Sequence, residues 1–294
     1  MKQLADFPNL QALIDNLSVV DDIFGATAQV SASDNIVQGV KLDKGQTHLQ
    51  LAKVYFHKNA FGKAIAHSQY CEAIAQKSTN NNLLYDARLV EVESLLRIGR
   101  FTDAKILLLK TQDIKGKIDP DSLMCWLELM AMCERRLGQN LAAAEYLSLG
   151  LKHASDVLSE YWMASFCRDM SYLEMIQGNY HKAELFAQQA VDSSEKTTDE
   201  LLMESCIGTI GNLYFRMGLV DKALGCQLKA LRYSERIGTP DLLGGTYVNL
   251  GNVYYAQGDF NQASKCLRKA IAHLKETENK KFYFNALNNY SHNE

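Results

Sequence analysis

The sequence predicts an all-α fold, an α-solenoid of stacked antiparallel helix pairs. Three observations carry the prediction. Gly138, Gly178, Gly218 and Gly258 stand 40 residues apart, with Gly99 39 residues before the first and Asn59 40 before that. Five residues after each comes an alanine: Ala64, Ala104, Ala143, Ala183, Ala223 and Ala263. Between these marks apolar residues recur at three- and four-residue steps, the spacing of an amphipathic helix. A fixed period in this range marks supersecondary units that each bury a face against the next.

Composition excludes several classes. The chain of 294 residues is 47% hydrophobic and 22% charged, as folded globular proteins are. Its net charge of −3, with both signs interspersed and no basic stripe, argues against a nucleic-acid partner. No apolar run approaches the roughly 18 residues that cross a bilayer, so no membrane partner is expected. The N-terminus has acids within its apolar stretch, unlike a signal peptide. Seven cysteines, an odd number without a C-x-x-C, signal neither a disulfide framework nor a zinc site. They read as small apolar residues in a reducing, cytoplasmic setting.

Residues 1–43 lie outside the register. Leu10, Leu13, Ile14 and Leu17 give a short helical stripe, and Ala26–Gln38 reads as a loop. The segment is expected to cap the first repeat or to form an arm. Residues 44–281 hold six repeats. The last complete one shows the logic. Leu250, Gly251 and Tyr254 recur at helical spacing, and Gly258-Asp259 breaks the pattern. Phe260, Ala263, Leu267 and Ala270 then resume it. Gly258 ends the first helix where a left-handed conformation is cheap. Gly251 and Ala263 let the two helices approach. Polar stretches at Ser78–Asn82, Lys115–Lys117, Ser193–Thr198 and Arg236–Thr239 read as linkers. Asp119-Pro120 and Thr239-Pro240 each place a capping side chain before a proline at the first helical position. Residues 282–294 continue in phase as the first helix of a truncated seventh repeat. This predicts either a longer protein or a natural terminal helix.

The pattern resembles the tetratricopeptide repeat, with small residues at the eighth and twentieth positions and aromatics near the eleventh and seventeenth. Gly251, Tyr254, Phe260 and Ala263 fill those places, as do Gly211, Tyr214, Val220 and Ala223, and Ala52, Tyr55, Phe61 and Ala64. The middle units depart: Glu134 and Glu174 stand where tyrosine is expected, Val92 takes a small-residue place and Asn140 replaces an aromatic. The 40-residue period exceeds the usual 34. Repeats of this length resemble those of kinesin light chain, Pins-type adaptors, bacterial Rap-type regulators and arrays attached to bacterial signalling enzymes. The resemblance implies a right-handed superhelix whose first helices line a concave face.

No catalytic motif of the phosphate-loop, zinc-protease, hydrolase or kinase type is present, so the chain is expected not to be an enzyme. No cofactor-binding or metal-binding set is expected. His57 and His67 flank a turn and read as solvated. Glu134 and Glu174 share a repeat position and read as partners of arginines such as Arg135 or Arg168. By the resemblance, the inner helices present Arg168 and Tyr172, then Asn212, Phe215 and Arg216. Next come Asn249, Asn252 and Tyr255, and finally Asn289. Asparagine costs up to about 0.7 kcal/mol relative to alanine inside a helix. A row of asparagines therefore has one of two explanations: a peptide ligand, or bonds among the amides themselves. Val248 and Gly208 occupy the place of the family's carboxylate clamp, which argues against a terminal carboxylate. The expected function is a non-catalytic module binding a peptide or helix of a partner protein on the concave face. The alternative is a regulatory or sensory region of a bacterial signalling protein, acting through partner binding or homodimerisation.

Overall fold

The computed structural model describes residues 36–37, 40–41, 44–112, 120–275, 277 and 280–291. The predicted helical stripe at Leu10–Leu17 and the capping residue Asp119 lie outside these. Ile36–Val37 and Val40–Lys41 pair as a two-residue antiparallel ladder where the end of a loop was expected. The chain divides into two compact units, 1–118 and 119–294.

The first unit holds α1 (Lys44–His57), α2 (Phe61–Lys77), α3 (Asn81–Arg97) and α4 (Phe101–Thr111). Its core is built from Leu49, Ala52, Tyr55, Phe61, Ala64 and Leu84. Arg88 crosses it, donating to Glu72 at 2.8 Å and to the Lys110 carbonyl at 3.0 Å. His67 is not simply solvated: its Nδ1 lies 2.9 Å from that of His48, and its ring stacks on Tyr55.

The second unit begins with α5 (Pro120–Arg136), α6 (Asn140–Asp156), α7 (Glu160–Ile176) and α8 (Tyr180–Ser194). It continues with α9 (Glu200–Arg216), α10 (Val220–Ile237), α11 (Pro240–Gln257), α12 (Phe260–Leu274) and α13 (Lys280–Ser291). The last helix therefore starts two residues before the position at which the register placed a seventh repeat. Each odd-numbered helix pairs with the even-numbered helix after it, and successive odd-numbered helices α5 to α13 touch in turn.

One turn closes every pair. The residue ending the first helix takes a left-handed backbone: Asn59, then Gly99, Gly138, Gly178, Gly218 and Gly258, with φ between 58° and 84°. The next amide then reaches back to the carbonyl five residues earlier, as Gln139 does to Glu134 at 2.8 Å and Leu219 to Tyr214 at 2.9 Å. With the glycine's own amide bonded three residues back, as Gly138 is to the Arg135 carbonyl at 3.1 Å, this pair of hydrogen bonds satisfies carbonyls the helix end would leave open. The six periodic alanines are fully buried beyond these turns. A methyl on Gly251 would stand 3.0 Å from Leu267, so the small residue does set the approach.

The turns between pairs are less uniform. Asn80, Ser159 and Asp199 cap the helices they precede through their side chains. Thr239 holds the cap position of α11 without a side-chain cap bond. Pro240 at the first helical position has no N–H needing one. Leu158, between α6 and α7, has φ 54° and is 87% exposed, so a leucine sits in a conformation that disfavours side chains with nothing packed against it.

The seven cysteines are all free. Burial pushes the Cys167 thiol up to about 12 and Cys206 to about 11, which makes both poor nucleophiles. Among the described residues, no helix is long and apolar enough to cross a membrane.

The joint between α9, α10 and α11 contains a buried carboxyl. Glu204 Oε1 accepts from Ser234 Oγ at 3.2 Å and Thr246 Oγ1 at 3.0 Å. Burial raises its pKa, against the pull of those two hydroxyls.

Two outcomes are expected. Leu158→Gly relieves backbone strain of about 1–2 kcal/mol, partly offset by glycine's greater chain entropy, and should raise the melting temperature by roughly 1–4 °C. A raised carboxyl pKa favours folding below the unfolded-state value, and that contribution fades as pH climbs toward the folded-state value. Glu204→Gln keeps the acceptor and removes the charge. Its stability relative to the parent should therefore grow between pH 4 and pH 7, by about 1.4 kcal/mol per unit of raise. Parallel melting profiles would contradict this.

Candidate ligand-binding face

The odd-numbered helices of the second unit form a layer, and the expected binding residues lie along it. Arg168 and Tyr172 come from α7. Asn212, Phe215 and Arg216 come from α9. Asn249, Asn252 and Tyr255 come from α11, and Asn289 from α13. Which of them meet is set by a simple offset. A residue on one layer helix touches the residue 37 positions later on the next: Ser165 donates to Glu128, Arg168 to Ser205, and Asn289 to Asn252. Arg135 over Tyr172 obeys the same offset. The offset is one period less three residues, nearly one helical turn, so the rows run diagonally across the layer.

At the α5 end the face is charged. Arg168 Nε donates to Asp169 Oδ1 at 2.9 Å, Nη2 to Glu128 Oε1 at 3.1 Å, and Nη1 to Ser205 Oγ at 3.4 Å. All three charged side chains are four-fifths or more buried. Burial pushes the Glu128 carboxyl up, opposed by Arg168 and reinforced by Asp169. Burial works against the Arg168 charge, but Asp169 and Glu128 together hold it firmly protonated. Arg168 is thus engaged within the protein rather than free for a ligand. Glu174, expected beside an arginine, instead accepts from Asn179 at 2.7 Å.

Tyr172 is 37% exposed, with the Arg135 guanidinium 4.6 Å above its ring. Phe215 is half-buried and Arg216 exposed. Neither the Arg216 nor the Asn249 side chain makes a hydrogen bond or ion pair among the described residues.

Toward α13 the face turns to amides. Asn289 Nδ2 donates to Asn252 Oδ1 at 2.7 Å. Asn212 Oδ1 accepts from Gln227 Nε2 of α10 at 3.0 Å. Bonds among the amides themselves therefore account for part of the asparagine row, each of these amides spending one polar atom inside the protein. Tyr255 closes this end, 47% exposed and edge-on to Phe260 at 5.3 Å between ring centres.

Sequence reasoning missed Glu128, Ser165, Ser205 and Gln227. The diagonal offset would have found the first three, since each lies 37 residues from a partner on the next layer helix. Gln227 had its own signal: it stands in the column of Leu147 and Leu267. Among the described residues no group of three or more His, Cys, Asp or Glu is gathered as a metal would need.

Residues 202–276 match the family model of the tetratricopeptide repeat. Among solved structures, BtubC from P. vanneervenii is 21% identical with a TM-score of 0.56, over 79% of this chain and 91% of that one. A signal transduction ATPase with a tetratricopeptide repeat sensor, from Pyrococcus horikoshii, is 17% identical with a TM-score of 0.63. That match covers 86% of this chain but 38% of the ATPase, so the chain spans about two fifths of it. A Rap protein complexed with competence and sporulation factor is 17% identical with a TM-score of 0.60, over 85% and 71% of the two chains. No curated protein matches the chain.

Removing Arg168 would strand two carboxylates. Arg168→Met should cost about 1–3 kcal/mol at pH 7 and less at pH 4, where the Glu128 carboxyl, already pushed up by burial, can take up a proton. Chemical denaturation at the two pH values reads the difference; an equal loss at both would point to packing instead of charge.

Proposed function

Since residues 202–276 match the tetratricopeptide repeat model, we propose that the chain is a non-catalytic module that binds an extended peptide or a helix of a partner protein along the α7–α13 layer. One observation carries this reading. The layer carries half-used amides at Asn212, Asn252 and Asn289 together with two exposed rings, Tyr172 and Tyr255. An amide both donates and accepts, matching the alternating groups of a peptide backbone. One such bond contributes a net 0.5–1.5 kcal/mol, whereas micromolar affinity needs about 8 kcal/mol. The rings must therefore supply the larger, apolar share. The Rap protein named above is complexed with competence and sporulation factor, which supports a binding role for an array of this kind.

A second reading makes the same face the sensing part of a regulatory protein. The sensor of the Pyrococcus horikoshii ATPase motivates it. Self-association without peptide, read by sedimentation, would favour this reading over a simple adaptor.

A random peptide library displayed on phage and panned against the chain supplies a probe. Asn212→Ala with Asn252→Ala should weaken the selected peptide by about 5- to 100-fold, two lost hydrogen bonds, while the melting temperature moves by only a few degrees. Undiminished affinity would remove this face from consideration.

A further inference from the structure

Within the second unit, the position that Leu147, Ala187 and Leu267 hold on the even-numbered helices is apolar and at most 1% exposed. Gln227 interrupts it, completely buried. Its Nε2 donates to the Gly208 carbonyl at 3.3 Å and to Asn212 Oδ1 at 3.0 Å. Its Oε1 is buried and has no hydrogen-bond partner among the described residues. A leucine there would leave no such orphan, so the glutamine lowers stability where its neighbours in the column raise it. Gly211 makes the space: a methyl on it would stand 2.8 Å from Nε2.

The chemistry of this contact has a direction. A backbone carbonyl can only accept, so the end of Gln227 that meets Gly208 must be its NH2. That NH2 also meets Asn212, so Asn212 must turn its oxygen inward. Its own NH2 is left for the layer's open face. The direction is therefore anchored in the backbone and does not depend on which ligand arrives.

We propose that Gln227 is a positioning residue: it locks the Asn212 amide so that this point of the face offers a hydrogen-bond donor and selects a ligand acceptor, a backbone carbonyl of an extended peptide. The selection of a ligand rests on the peptide-binding reading above; the locked amide does not. The Asn289–Asn252 bond has the same sense, since it occupies the Asn252 oxygen and leaves the Asn252 NH2. Two layer helices in succession thus present donors at the same repeat position.

Two measurements separate the parts. In the ligand-free chain, NMR follows side-chain amide exchange with deuterated water. The Gln227 NH2 protons should exchange at least tenfold more slowly than those of Asn212. The reverse order would overturn the assigned direction. With the phage-selected peptide as probe, Gln227→Leu should weaken binding about two- to tenfold while its melting temperature stays level or rises. Gln227→Met serves if the leucine variant misfolds. Full affinity in a folded variant would overturn the positioning role. Should the Asn212 and Asn252 double variant bind normally while exchange follows the expected order, the peptide reading falls and the locked amide stands.

Discussion

A left-handed residue at the end of each first helix is the constraint from which the rest follows. An ordinary helix end leaves carbonyls unsatisfied and lets the chain depart in many directions. Here Asn59 and five glycines fix the departure to one, because the amide that follows must return to the carbonyl five residues back. That bond turns the second helix antiparallel. It also places the buried alanine five residues on against the first helix, where only a small side chain lets the backbones come close. Geometry at one dihedral angle thus decides where the layers lie, which face of each odd-numbered helix is left open, and which residues meet across it.

Much of this was legible in the sequence because it depends on single residues with few substitutes. Glycine at positive φ and alanine at a close crossing are read directly. The pairing of helices followed from their spacing. The site was legible only in outline. The column positions of Asn212, Asn252 and Tyr172 came from the repeat, but their partners did not. Partners depend on packing between helices: a 37-residue diagonal joins Asn252 to Asn289 and Tyr172 to Arg135, while Asn212 meets Gln227 of its own hairpin. The sequence set Glu134 and Glu174 beside arginines such as Arg168, whereas its counter-charges are Asp169, next to it, and Glu128, a whole repeat away. Thr239 looked like a cap because composition cannot tell a side chain that bonds from one that merely stands in the right place.

The two ends of the layer differ in kind. Around Arg168 the charges are satisfied among themselves, and burial makes any rearrangement costly. Around Asn212 and Asn252 the groups are neutral, each half-used, with an exposed ring nearby. On the proposed reading a ligand would gain more from the second region, because it could complete amides there without first breaking an ion pair. The unequal treatment of the two ends gives the face a polarity that the evenly spaced glycines alone would not suggest.

The 37-residue diagonal has an evolutionary corollary. Repeat arrays are thought of as modules that duplicate and drop out freely, and the backbone here would allow it. The side chains would not. Excising residues 200–239 would bring α11 beside α7 in register, yet the residue then facing Arg168 would be Gly245 in place of Ser205. The Gln227 anchor would vanish with the excised segment. Each unit is written for the neighbour it has, so recombination within this gene would preserve the scaffold and erase what the scaffold displays.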